Sequence, residues 1–376
     1  MKKRHLFTPG PVDVPPEVLA ALAEPMIHHR APDFIPYSKS AHEGLKYVFQ
    51  TRNPVITFAG SGTAAMEASV ANMLSPGDRA ITVEGGKFGE RWTEQCKAYG
   101  VEPIVLKIEW GKAVTPALIE ETLKAHPDVK AVYLTLTETS TGVLTNVEAI
   151  CQVIAKTKAI SVVDAISALA AERCLSDPWQ IDIVVAGSQK ALMLPPGLAF
   201  CSVSPKAQAL IASSKCPKYY LSFAKALKAL EKDDTPFTPA VSLIRALCVS
   251  TKMIRDEGIE NVWARHARLG RALRESAVAM NLKVFAESPS NVVTAIRVPD
   301  GVDGEKITKI LRDKHGVTIA GGQEQLKGKV IRIATLGWAA DLDVITVIGA
   351  LEMALAEVGH KFERGAGLAA AVRALS

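Results

Sequence analysis

The sequence predicts an α/β protein whose main sheet is mostly parallel and covered by helices on both faces. Between residue 54 and about residue 190, short apolar runs of strand type alternate with helical patterns. Several of those runs end in glycine, hydroxyl or acidic residues, as strands do when their carboxyl ends form a ligand crevice. A second, shorter alternation from residue 291 onward predicts a small α/β unit behind the first. With 376 residues, the chain is too long for one ordinary core. The division expected is an irregular leading segment over 1–20, a large domain over 21–257 and a small C-terminal domain over 258–376.

Thr8-Pro9-Gly10-Pro11, with Pro15-Pro16 after it, is a stiff lead-in that cannot be helical. Residues 17–23 follow as a short helix with Pro16 at its start. Residues 26–32 are irregular and carry His28, His29 and Arg30 either to a pocket or to a surface turn. A helix is expected over 34–50 and a strand over 54–58. The next stretch, Gly60-Ser61-Gly62-Thr63, passes into a helical pattern; its glycines and the free amides of a helix start suit an anion, and a ligand-free tight turn fits as well. It lacks both a dinucleotide fingerprint and the Gly-Lys-Ser/Thr ending of a nucleotide loop.

A strand over 80–83 ends in Glu84-Gly85-Gly86-Lys87-Phe88-Gly89, where Phe88 either covers a flat ligand or joins the core. Next come a helix over 91–99, a strand over 101–108, a helix over 115–124 capped by Thr115, and a strand over 131–136. The polar loop 137–144 is suited to ligand contacts. A helix over 147–156 leads to a strand over 159–163 that ends in Asp164, and residues 197–203 add another strand. Thr235-Pro236-Phe237-Thr238-Pro239 precedes helices over 241–257 and 262–280. The small domain takes strands over 292–298, 317–320 and 329–334, a helix over 342–358, and an alanine-rich tail over 365–376 expected to fray.

Apolar residues make up 48% of the chain and charged residues 22%, which fits a folded soluble protein. The formal charge of +5 is spread along the chain with no run of like charges, so no nucleic-acid footprint is expected. No segment reads as a secretory signal or a membrane span. Six cysteines without paired spacing point to free thiols and a cytoplasmic protein.

The chemistry concentrates where the strand-like run Ile181-Asp182-Ile183-Val184-Val185-Ala186-Gly187 delivers Ser188-Gln189-Lys190. Neighbouring parallel strands would then present Asp164 and Lys190 together. An aldehyde cofactor with a basic ring nitrogen, pyridoxal 5'-phosphate, needs that pair: an amine to form an imine and a carboxylate to keep the nitrogen protonated. Taken alone, such a lysine also fits a solvated strand end.

Taken together and in order, Thr8-Pro9-Gly10-Pro11, residues 47–54, Gly60-Ser61-Gly62-Thr63, Ser140-Thr141-Gly142-Val143-Leu144, Val163-Asp164 and Gly187-Ser188-Gln189-Lys190-Ala191-Leu192 carry a resemblance over nearly the whole chain. The chain resembles the fold-type I pyridoxal-phosphate enzymes of the class V aminotransferase group, above all the alanine–glyoxylate and serine–glyoxylate (serine–pyruvate) aminotransferases. The resemblance implies a seven-stranded, mostly parallel sheet in the large domain and a homodimer with active sites at the subunit interface. Lys190 is then the imine-forming lysine and Asp164 the partner of the pyridine nitrogen. Ser61, Gly62, Thr63 and Gln189 help hold phosphate, and Thr139 lies near the cofactor's phenolic oxygen. Phe88 stacks on the ring where relatives often carry tryptophan. Arg332 binds the substrate α-carboxylate, a role that suits a guanidinium fork, and Gly10 lies beside the substrate. Thr235 or Thr238 reaches the neighbouring subunit's phosphate.

The implied reaction passes an amino group from a small amino acid to the cofactor and on to glyoxylate or pyruvate. No second arginine for a side-chain carboxylate is evident in the sequence, which favours alanine, serine or glycine. Cysteine desulfuration is disfavoured because no cysteine follows Cys248. Another class V aminotransferase, a β-eliminating lyase and a non-catalytic partner subunit are the alternatives.

Overall fold

Branched apolar residues set the central sheet. Val55–Gly60 (β1), Arg79–Glu84 (β2), Glu102–Lys107 (β3), Ala131–Thr135 (β4), Ile160–Asp164 (β5), Ile183–Gly187 (β6) and Gly197–Val203 (β7) form seven strands in the order β1-β7-β6-β5-β4-β2-β3. The computed structural model describes residues 3–376, so the first two residues of the basic start and of the 1–20 segment lie outside the described residues. Strand β7 runs antiparallel to both β1 and β6, while the other pairings are parallel. Successive residues of a strand bury on opposite faces, as the two-residue period requires. Val132, Leu134, Val163 and Val184 join one apolar cluster, and Ala131, Tyr133, Val162, Ile183 and Val185 join the other.

Behind this sheet, Lys283–Val284 (β8), Val293–Arg297 (β9), Ala320–Gly321 (β10) and Val330–Ala334 (β11) make a smaller antiparallel sheet in the order β8-β9-β11-β10. The helix Ile259–Ala279 crosses between the two bodies. Its Ile259 and Val262 pack with the large core, and its Leu269, Leu273 and Ala277 pack with the small one.

The structure corrects several local expectations. The strand expected over 317–320 is split. Val317–Thr318 pairs in parallel with His5–Leu6, and Ala320–Gly321 turns away to pair with β11. Phe7 then buries in the small core, so the leading segment is strapped to the small sheet. The tail does not fray: Ala366–Leu375 is a helix with Ala370, Ala371 and Ala374 buried. Its first turn is held by the Glu352 carboxylate, which accepts the amides of Gly365 (2.9 Å), Gly367 (2.8 Å) and Leu368 (3.2 Å). The helix expected from residue 91 begins at Lys87, where the buried Glu138 carboxylate accepts the amides of Phe88 (3.4 Å) and Gly89 (2.9 Å). Two short helices, Pro205–Leu210 and Phe223–Leu230, were not among the expected elements.

Candidate active site

Strands β5 and β6 run in parallel register and end side by side, Asp164 opposite Val185. Past β6 the chain is pinned by Ser188, whose hydroxyl donates to Pro195 O (2.7 Å) and accepts from Leu198 N (3.1 Å). A tight turn closed by Met193 N to Lys190 O (2.9 Å) sends the Lys190 side chain inward. Its ε-amine donates to the Pro9 carbonyl of the leading segment. Gly10 has φ +102°, and a Cβ there would lie 2.5 Å from Lys190 Cδ and 2.6 Å from its Nζ. Only glycine fits at that position. Burial pushes the Lys190 ammonium down to about 8; Asp164 opposes this, and Arg332 and Arg91 add to it.

Asp164 is buried and accepts Ile166 N at 2.8 Å. Burial pushes its carboxyl up to about 7, against the pull of that hydrogen bond, Lys190 and Arg91 and with a push from Glu138. Ile166 also explains Gly62: a Cβ on Gly62 would meet Ile166 Cδ1 at 2.6 Å. Ser61 stands at the N-cap of the helix Gly62–Met73 without a side-chain capping bond, which leaves the first-turn amides for another acceptor. Gln189 reaches the same place. Its buried Oε1 has no partner, and a Cβ added to Gly187 would be 3.2 Å from both that atom and Gly62 N.

Arg332 projects from β11 between the alanines at 295 and 320 on the flanking strands, which leaves room for its guanidinium. Nε donates to Gly321 O (2.9 Å) and Nη1 to Thr139 O (3.0 Å). Three N–H groups remain for a carboxylate fork. Burial lowers the guanidinium to about 10. Thr139 is buried and its hydroxyl donates to Ser167 Oγ (2.7 Å). Half-buried Phe88 sits at the start of its helix above Glu138. Gly10 and Asp164 thus flank Lys190, Gln189 approaches Gly62, and Arg332 meets Thr139, while Arg91 bridges Phe88 and Thr63.

Thr235 and Thr238 are set apart, in a loop that packs against Thr57, Phe58 and Ala59 of the edge strand β1. The Thr235 hydroxyl is spent on Phe237 O (2.7 Å), so Thr238 is the freer of the two. His28, His29 and Arg30 also stay outside the crevice, with Arg30 paired to Asp234. Sequence reasoning missed Glu138. Its carboxylate also accepts Ser140 N (3.1 Å) and Ser140 Oγ (2.5 Å), and burial raises its pKa. The available signal was Gly85-Gly86, since a Cβ on Gly86 would lie 2.5 Å from Glu138 Cδ.

Residues 5–335 match the Aminotransferase class-V family. The chain belongs to that family. A serine–glyoxylate aminotransferase of Methylorubrum extorquens is 35% identical over 382 residues, covering 98% of this chain and 95% of that protein. A Synechococcus protein named as the small subunit of a soluble hydrogenase is 42% identical over 380 residues, covering 100% and 99%. Among solved structures, the ureidoglycine–glyoxylate aminotransferase of Bacillus subtilis superposes with a TM-score of 0.95 at 30% identity, covering 100% of this chain and 98% of that one. As a class V aminotransferase the protein has the fold-type I architecture, and membership implies pyridoxal phosphate and amino-group transfer.

The residues present fit that cofactor. An uncapped helix start and an orphaned buried amide form an anion cradle, an acid lies at a strand end for a ring nitrogen, and a lysine of lowered pKa stands beside it. No helix among the described residues is long and apolar enough to cross a membrane.

Proposed function

We propose that this class V aminotransferase moves the amino group of a small amino acid, alanine or serine, to glyoxylate or pyruvate through pyridoxal phosphate. The observation that carries the reading is Lys190: a buried ε-amine with its pKa lowered to about 8, flanked by the Asp164 carboxylate and the Arg332 guanidinium. The names of the Methylorubrum and Bacillus relatives both specify glyoxylate as acceptor, which supports that half of the reaction.

When bound, pyridoxal phosphate supplies the electron sink and carries the amino group between two acids. Gly62 and Thr63 amides, Ser61 and Gln189 would hold the phosphate. Asp164 would keep the ring nitrogen cationic, and that positive charge would in turn hold the carboxylate ionised. Phe88 would cover the ring, and Thr139 would serve the phenolic oxygen. Arg332 takes the α-carboxylate of each acid in turn, with Gly10 leaving space beside Lys190. The neutral Lys190 Nζ removes the substrate's α-proton and delivers it back during transfer.

The division at 1–20, 21–257 and 258–376 belongs to the same reading, as does a homodimer in which Thr238, or Thr235, serves the neighbouring site. The aromatic cluster of Tyr219, Tyr220 and Phe237 beside that loop supports an interface, since Tyr219 is 71% exposed in the single chain. Six unpaired cysteines support a reducing, cytoplasmic setting.

A non-catalytic partner subunit is the second reading, raised by the hydrogenase name of the Synechococcus relative. The assembled Lys190, Asp164 and Arg332 argue against it. Half-reactions of cofactor-loaded protein with alanine, serine, glycine and glutamate, followed by loss of the visible cofactor band and release of keto acid, test the proposal. Alanine or serine is expected to react; silence with all four would refute the small-amino-acid assignment.

A further inference from the structure

The crevice holds a second guanidinium that the sequence alone did not assign. Arg91 lies in the first turns of the helix Lys87–Ala98. Its Cζ is 4.7 Å from the centroid of the Phe88 ring, and its Nη1 makes a long contact of 3.5 Å with Thr63 Oγ1. No carboxylate pairs with Arg91 among the described residues. A guanidinium has five donors, so this one is largely unsatisfied.

Its surroundings indicate what it awaits. Thr63 belongs to the first turn of the 12-residue helix Gly62–Met73, whose Ser61 provides no side-chain cap. Gln189 Oε1, buried and unpartnered, approaches the same turn. Helix amides, a side-chain amide free to present its NH2 end, and an unpaired guanidinium thus converge on one place. Arg91's charge is also felt at both Asp164 and Lys190, which places it on the side of that pair.

We infer that Arg91 is a further phosphate-binding residue: its guanidinium joins the cradle of Gly62, Thr63 and Gln189 and steadies Phe88 over the cofactor ring. The inference rests on the cofactor reading above. A planar fork matches phosphate oxygens better than a lysine would, and stacking on Phe88 fixes the plane of the fork.

The test compares pyridoxal phosphate with pyridoxal, which lacks the phosphate. Apo-protein of wild type, Arg91→Gln and Arg91→Lys is titrated with each aldehyde, following absorbance, and inorganic phosphate is used as a competitor. Arg91→Gln is expected to weaken pyridoxal phosphate about 10- to 100-fold while pyridoxal stays within about twofold, with Arg91→Lys between. Inorganic phosphate should compete less well in Arg91→Gln. Unchanged affinity for pyridoxal phosphate, or an equal loss for both aldehydes, overturns the assignment. So does an effect confined to the KM of dicarboxylic amino acids, which would make Arg91 a side-chain carboxylate site. If apo Arg91→Gln melts well below wild type, the same ratio in Arg91→Lys decides. Wild type that takes up neither aldehyde refutes the cofactor reading itself.

Discussion

At Lys190 the controlling quantity is the cost of charging an amine that is shielded from water. With its pKa lowered to about 8, the neutral, nucleophilic form gains population across the range just above neutrality. Capture of pyridoxal phosphate by apo-protein should therefore speed up with pH and level off above about 8; a rate flat from pH 6 to 10 would contradict this. Gly10 makes a sharper test. A methyl group there would overlap the Lys190 side chain, so Gly10→Ala should slow capture by about tenfold or more in a protein that still folds. At Arg332 two donors are committed to backbone carbonyls, and the remaining fork is what a lysine cannot reproduce. Arg332→Lys should raise the KM for both amino and keto acids about 10- to 100-fold, measured by steady-state kinetics. Lys190 was legible because the strand-like run before it delivers it, whereas Gly10 and Arg332 were reached only through the family resemblance. Glu138 and Arg91 were reached by neither, because each draws its meaning from groups that are distant in the chain.

Among the elements, most of the long periodic ones matched expectation and those held by remote groups did not. The strand ending at Asp164 and the long helix Val241–Glu257 follow from their own side-chain pattern. The early start of Lys87–Ala98 follows from Glu138, which supplies acceptors for amides that a bare helix leaves unpaired. The C-terminal helix depends on Glu352 in the same way. Glu352→Ala would orphan the amides of Gly365, Gly367 and Leu368, and the expected cost is about 1–3 kcal/mol, read from urea denaturation. Midpoints equal to wild type would show that alanine packing alone holds the tail.

For the whole molecule, the helix that joins the two cores carries an acid-sensitive group. His266 is fully buried in the crossing helix, its Nδ1 2.7 Å from Val262 O, and burial lowers its pKa to about 3. The unfolded chain takes up this proton below about pH 6.5, whereas the folded chain resists it. Stability from this group is therefore complete above pH 6.5 and declines as pH falls toward 3, by up to about 1.4 kcal/mol per pH unit. Asp164 and Glu138, whose carboxyls are raised by burial, act in the opposite sense over the same range, so the test is the difference. Between pH 6.5 and 4 urea midpoints should fall further in wild type than in His266→Leu, and parallel profiles would contradict it.

Alternating apolar runs and glycines at turns were enough to determine the α/β class and most of the succession of strands and helices along the chain, because each is a local property of backbone period. The Lys190–Asp164 pair suggested the cofactor, and the family resemblance named it. Tertiary structure alone decided that the leading segment straps onto the small sheet, that Pro9 meets Lys190, and that Glu138 and Arg91 enter the crevice. Those outcomes depend on which distant surfaces exclude water together, and no local pattern encodes them.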